Sequence, residues 1–139
     1  MMIVQVGPHN ERLLEHIGEL ENALFPDNAF GEATLRREVA AGYCAALVEG
    51  GDVRAYALVR PSQELHDLMR LGVMPGFQNR GYGSWMLAHV LDRLPGPMML
   101  MVRKNNAVAK KLYEKNGFRI IAMAGTDAWV MRRSTSWSP

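Results

Sequence analysis

From Met2 to Val6 the chain reads Met-Ile-Val-Gln-Val, a short β-branched alternation that predicts a first strand. The period then changes. Leu13, Leu14, Ile17, Leu20 and Leu24 recur at helical steps and predict a helix from about Asn10 to Leu24. Phe25-Pro26-Asp27-Asn28 breaks it, and a shorter helix from about Gly31 to Ala41 keeps Glu32, Arg36, Arg37 and Glu38 on its wet side. Gly42 opens a strand from Tyr43 to Val48, and Gly50-Gly51-Asp52 turns it into a second from Val53 to Val59. After Pro61-Ser62 comes a longer strand, about Leu65 to Val73. A turn-rich loop from Pro75 to Gly83 then opens a helix running to Leu94, where Gly83, Met86, Leu87, Val90, Leu91 and Leu94 form one apolar stripe. Pro95-Gly96-Pro97 stops it. Met98 to Val102 is apolar throughout, as a buried parallel strand should be. A helix from about Asn106 to Asn116 ends at Gly117, and two strands, Phe118 to Ala124 and Ala128 to Arg133, close the chain. The order β-α-α-β-β-β-α-β-α-β-β is mixed α/β: a meander followed by strand–helix–strand crossovers.

Composition narrows this to one domain. The chain has 139 residues, 48% hydrophobic and 22% charged, the balance of a folded soluble protein. Residues 1–133 are expected to form the domain, with 134–139 as a frayed tail. The net charge of +2 implies neither a nucleic-acid nor a membrane partner. Cys44 is the one cysteine, so no internal disulfide is expected. No apolar run approaches the roughly 18–20 residues of a membrane span, and the N-terminus lacks a charged-then-apolar signal segment. The expected location is the cytoplasm.

The sharpest local pattern is Gln78-Asn79-Arg80-Gly81-Tyr82-Gly83-Ser84, where a strand enters a tight loop and the loop enters a helix. The first N–H groups of a helix lack intrahelical partners, and the dipole adds positive potential, so such a turn suits phosphate. Gly81 and Gly83 let backbone approach phosphate oxygens. Two commoner phosphate loops fail. A dinucleotide fingerprint needs glycine where Met86 stands, and the mononucleotide P-loop needs a Gly-Lys-Ser/Thr that is absent. Alone, Gln-x-x-Gly-x-Gly also fits an ordinary strand–turn–helix.

A second segment, Asn106-x-x-Ala109-x-x-Leu112-Tyr113-x-x-x-Gly117-Phe118, follows one strand later. Together the two resemble the GNAT superfamily of acetyl-CoA-dependent N-acetyltransferases. The motifs span Leu65 to Phe118, and the element order extends the likeness across nearly the whole chain. The resemblance implies a single GNAT-like domain with acetyl-CoA in a splay between the fourth and fifth strands. Leu71 and Val73 would meet the pantetheine arm, the amides of Asn79, Arg80, Gly81, Tyr82, Gly83 and Ser84 the pyrophosphate, and Asn106 the arm from the other side. Gln78 belongs to the same pyrophosphate segment. Arg80 is an additional charge for the phosphates or a solvated loop residue.

Amine attack on a thioester expels a thiolate, and a phenol with pKa about 10 is protonated and able to quench it. The resemblance gives that role to Tyr113, whose alternative is packing with Ala109 and Leu112. The base is open. Asp67 lies eleven residues before Gln78, where histone acetyltransferases of the superfamily carry a Glu. Alternation puts it on the side of Leu65, Met69 and Leu71 unless a bulge intervenes. Glu64 and His66 are rivals, and solvated charges at a strand start are the plain alternative. Leu20-Glu21-x-x-Leu24-Phe25-Pro26 resembles ribosomal-protein alanine N-acetyltransferases, but that subgroup's fifth-strand Glu is Met101 here. The acceptor expected is therefore a primary amine, of a small molecule or a protein and unidentified, attacking directly in a ternary complex, with a protein N-terminal α-amine as the alternative. An acyl-CoA-binding module without turnover is the alternative of another class.

The remaining features have plain explanations. Cys44 sits in an apolar strand and suits a buried thiol. His9, His16, His66 and His89 form no ligand cluster, so no metal is expected. Trp85 and His89 share the outer side of their helix and suggest a subunit contact, hence a homodimer. Trp129 and Met131 are expected in the core.

Overall fold

The structure is a computed structural model that describes residues 1–134. Eleven elements follow one another: β1 (Met2–Gln5), α1 (Glu11–Leu24), α2 (Glu32–Ala41), β2 (Tyr43–Glu49), β3 (Asp52–Arg60), β4 (His66–Val73), α3 (Tyr82–Arg93), β5 (Met98–Arg103), α4 (Ala107–Lys115), β6 (Arg119–Ala124) and β7 (Ala128–Arg133). This is the expected order, with boundaries displaced by a residue or so. Apart from Ser134, the expected frayed tail lies outside the described residues.

The strands form one seven-stranded sheet in the order β1-β2-β3-β4-β5-β7-β6. Every neighbouring pair is antiparallel except β4 and β5, which are parallel and joined by α3. One face carries α3 and α4. There Met86, Leu87 and Val90 meet Ala55, Ala57, Leu68, Leu100 and Met131 in a buried cluster. The other face carries α1 and α2, whose Leu14, Ile17, Leu20, Leu35 and Val39 cover Cys44, Ala46, Tyr56 and Leu58. Met131 is buried and Trp129 packs against the α3/α4 cluster, as expected of core residues.

Burial pushes the Cys44 thiol up to about 12, which leaves it protonated and inert. No described helix is long and apolar enough to cross a membrane.

Candidate active site

Pairing between β4 and β5 runs from His66 opposite Met98 to Leu68 opposite Leu100, then stops. Beyond it, Met69 to Val73 have no partner on β5, so the parallel strands part toward their C-terminal ends. A β-bulge marks the same place. On β3, Val59 faces Leu68 but Leu58 faces Arg70, which leaves Met69 as the extra residue. Leu68 therefore points to the α3/α4 layer, Met69 and Arg70 to the α1/α2 layer, and Leu71 and Val73 back to α3/α4. The alternation that placed Asp67 with Leu71 is corrected by this bulge. Asp67 pairs in register with Arg60 and Met99 on the α1/α2 face, opposite Leu71.

The loop to α3 leaves the open end of β4. Gly76, Asn79 and Gly81 hold φ values of +89°, +63° and +90°, and Asn79 is the one non-glycine among the described residues with positive φ. Left-handed residues separated by ones of negative φ can turn successive N–H groups to one side, the arrangement called a nest. Gly81 is the N-cap of α3, and the first bond of that helix runs from the Trp85 N–H to the Gly81 carbonyl. The amides of residues 79–84 donate no hydrogen bond among the described residues. The Gln78 side chain reaches back, its Nε2 donating to the Val73 carbonyl at 3.3 Å. Arg80 and Ser84 are exposed.

The second segment closes onto the first. A Cβ built on Gly83 would lie 3.4 Å from Leu112 Cδ2 and 3.6 Å from Val73 Cγ2, so β4, α3 and α4 converge there. Asn106 caps α4, its Oδ1 accepting from the Ala109 N–H at 3.1 Å, which leaves only its Nδ2 for other contacts. At the other end, the Phe118 N–H donates to the Tyr113 carbonyl and the Gly117 N–H to the Glu114 carbonyl, with Gly117 at φ +91°. That is a Schellman motif, and its customary apolar contact is the Tyr113–Phe118 edge-to-face pair at 5.7 Å. The spacing Tyr-x-x-x-Gly-Phe is thus what fixes the tyrosine ring. Tyr113 is 7% exposed, and burial raises its phenol above the ordinary value. Its hydroxyl makes no hydrogen bond among the described residues, yet no buried side-chain oxygen among them lacks a partner. The oxygen therefore touches solvent as a protonated, unengaged donor.

The Acetyltransferase (GNAT) family matches residues 10–118. The chain belongs to this family. It is similar to the N-alpha-acetyltransferase RimI of Mycobacterium tuberculosis, with 30% identity over 95% of this chain and 93% of that protein. The crystal structure of the ribosomal-protein-S18-alanine N-acetyltransferase from Escherichia coli shares the fold, with a TM-score of 0.82 and 23% identity over 99% of this chain and 97% of that one. So does Arabidopsis thaliana Naa50 in complex with the bisubstrate analogue CoA-Ac-MVNAL, with a TM-score of 0.76 and 22% identity over 97% and 100%. The chain is accordingly a GNAT acyltransferase, and the parted β4 and β5 are the splay expected of that fold.

Within this GNAT domain the base candidates separate. Glu64 is exposed on the β3–β4 connection, at the closed end of the β4–β5 pair. His66 is a clamp: its Nδ1 accepts from the Ser62 N–H at 3.2 Å and its Nε2 donates to the Pro95 carbonyl at 2.9 Å. Both ring nitrogens are engaged in holding the chain segments on either side of β4. Asp67 is half-buried one residue before the last β4–β5 pair. Burial raises its carboxyl above the ordinary range, against the lowering by Arg60. Asp67 and Tyr113 thus lie on opposite faces of the sheet.

Sequence reasoning missed the largest polar cluster. Glu21, fully buried on the apolar stripe of α1, accepts from Tyr56 Oη at 2.5 Å, Arg70 Nε at 2.9 Å and the Phe30 N–H at 2.9 Å. Arg70 also donates to the Asn28 carbonyl at 2.8 Å and lies between the Phe25 and Phe30 rings, 4.4 and 4.3 Å from their centroids. The α1–α2 connection is thereby tied to β4 immediately after the bulge. A charge on an apolar helix stripe was the available signal. Met101 is 66% exposed on the part of the α1/α2 face that neither helix covers. A groove of about 600 Å³ between α1 and α2, lined by Glu11, Glu15, Glu19 and Glu32, contains none of the candidate site residues. Among the described residues no three His, Cys, Asp or Glu side chains cluster as metal ligands.

Proposed function

We propose that this GNAT domain transfers the acetyl group of acetyl-CoA to a protein N-terminal α-amine by direct attack in a ternary complex. The observation that carries the cofactor assignment is the continuity of the β4–β5 gap with a nest of six unengaged amides. Beyond Leu68 the β4 backbone has no β5 partner and is open to pairing by an extended arm, and the nest offers charge-complementary donors for a pyrophosphate at its mouth. Bound there, acetyl-CoA supplies an activated acyl carbon with a thiolate leaving group.

The chain's own residues then have separate tasks. Residues 79–84 hold the phosphates through backbone N–H groups, with Arg80 adding charge. Leu71 and Val73 hold the pantetheine arm from β4, and the Asn106 amide holds it from the other side. Asp67, ionised, receives the amine proton through water on the α1/α2 side. As the C–N bond forms and the C–S bond breaks, Tyr113 donates its phenolic proton to the departing sulfur and regains one from solvent. Its burial keeps the phenol protonated ahead of the step and at the same time makes it a weaker acid, so the proton moves only as charge develops on the sulfur.

Two points support an α-amine over a lysine. An α-amino group needs about one pH unit of deprotonation at neutral pH where a lysine needs about three, and a single half-buried Asp is a weak base. The similarity to the Mycobacterium tuberculosis N-alpha-acetyltransferase also extends over nearly the whole chain. The test is thiol release from acetyl-CoA with three acceptors: a peptide with a free N-terminal alanine, the same peptide N-blocked with an internal lysine, and a small primary amine. The free-alanine peptide should be turned over at least tenfold faster than the others. Preference for the small amine would assign a metabolite acceptor, and equal inertness with tight CoA binding would assign a module without turnover.

A further inference from the structure

The phosphate loop is held from outside by the β2–β3 hairpin. The Met74 N–H donates to the Arg54 carbonyl at 2.8 Å, which anchors the start of the loop. The Arg54 guanidinium then lies 3.9 Å from the centroid of Phe77, just ahead of the left-handed residues Asn79 and Gly81. Its Nε donates to Glu49 Oε1 at 3.2 Å, and its Nη1 is 3.7 Å from Asp52 Oδ2. From the far end of the loop, the hydroxyl of Tyr82 donates to the same Glu49 oxygen at 2.9 Å. The Tyr82 and Phe77 rings meet edge to face at 6.2 Å. Both ends of the nest are therefore pinned to one carboxylate and one guanidinium that belong to another part of the sheet. The side chain of Arg54 is 16% exposed and that of Glu49 37%, so the contacts are partly shielded from water.

We propose that Glu49, Arg54 and the Tyr82 hydroxyl are positioning residues that preorganise the phosphate loop, so that the β2–β3 hairpin sets the affinity for CoA without touching it. This rests on assigning residues 79–84 to the pyrophosphate. Three left-handed positions in one short loop are costly to order, and a loop already ordered binds more tightly than one ordered by its ligand. The electrostatics act in the same direction. Arg54 and the Tyr82 hydroxyl hold the Glu49 carboxyl below its usual range, so it stays ionised and paired. Without Arg54 that carboxylate would stand unneutralised beside the phosphates.

The test measures CoA binding by calorimetry on the full chain, together with amide hydrogen exchange of residues 76–84 in the absence of ligand. Arg54→Ala should weaken CoA binding at least tenfold. Tyr82→Phe, which keeps the ring against Phe77 and removes only the hydroxyl, should weaken it about threefold. In both, exchange across the loop should quicken while α1 and β1 stay protected. If Arg54→Ala fails to fold, Tyr82→Phe decides. CoA binding within 1.5-fold of the unaltered protein in Tyr82→Phe, or unchanged loop exchange, would overturn the inference alone. No CoA binding by the unaltered protein would overturn the pyrophosphate assignment, and this inference with it.

Discussion

On the α3/α4 face of the sheet the buried layer is apolar and aromatic, from Leu68 and Leu100 through Met86 and Val90 to Phe118. On the α1/α2 face a similar layer closes around Glu21, Tyr56 and Arg70, a charged group and its partners held in the core beside the β4 bulge. Both faces border the same gap between β4 and β5. The first is apolar and can be built from any side chains of suitable volume. The second ties a loop to the strand through specific side-chain geometry, so it tolerates change differently.

The largest expected effect separates those two kinds of interior. Arg70→Met preserves volume but leaves the Glu21 carboxylate buried without its cation, and should cost about 3–5 kcal/mol in denaturant unfolding. Leu87→Met on the opposite face is also close to volume-conserving and should cost less than about 1.5 kcal/mol. Adding Glu21→Leu to Arg70→Met should recover only part of the loss, because it removes the stranded charge but leaves the buried Tyr56 hydroxyl and the Phe30 N–H without their acceptor. Equal costs for the two single variants would erase the distinction between the faces.

Next in size is Gly81→Ala. The residue sits at φ +90° with open space around its Cβ position, so the penalty is backbone strain of about 1–2 kcal/mol rather than a clash. Relaxation of the N-cap out of the left-handed region should turn amides away from the nest, and CoA affinity should fall about tenfold by calorimetry. An affinity that does not move would mean that the loop amides are not the phosphate donors.

The elements of this fold were legible because their signals are local. Period, turn residues and the Gly117 stop place all eleven within a residue or so, and the two glycine-bearing segments mark the cofactor end of the gap. The other side of the sheet was not legible to the same depth. The Met69 bulge shifts every later side chain on β4 to the opposite face, and nothing in an apolar strand announces a bulge. Glu21 and Arg70 stand 49 positions apart, as do none of the local capping or turn pairs, so their bond follows only from the packing of α1 on β4. The same holds for Tyr82 and Glu49, 33 positions apart. Backbone sites are written in short motifs, whereas side-chain pairs across layers are not.

A smaller effect concerns pH on the α1/α2 side. Burial raises the Asp67 carboxyl above 3.8, so the folded chain holds that proton more tightly than the unfolded one. Stability should therefore decline as pH rises from about 3.8 through the raised value, and Asp67→Asn should remove that slope in unfolding curves. The acid limb of the rate profile should move up to the titration of the amine itself, about 8 for an α-amine, because no enzyme base is then left to take its proton. An unchanged limb would move the base elsewhere. The smallest effect belongs to Trp85, 51% exposed on the outer side of α3. In a monomer Trp85→Ala should shift stability by no more than about 0.5 kcal/mol. A sedimentation shift between the two proteins would instead place Trp85 in a subunit contact.

The central claim is that Tyr113, held by the α4 Schellman turn at the side of a CoA-filled gap, supplies the proton that releases the thiol. Its direct test is single-turnover thiol release from acetyl-CoA with the free-alanine peptide, comparing the unaltered chain with Tyr113→Phe while CoA affinity is measured on both. The account predicts equal CoA affinity within about twofold and a rate lower by about 100-fold or more in Tyr113→Phe. A full rate in Tyr113→Phe, with CoA bound as before, would contradict it.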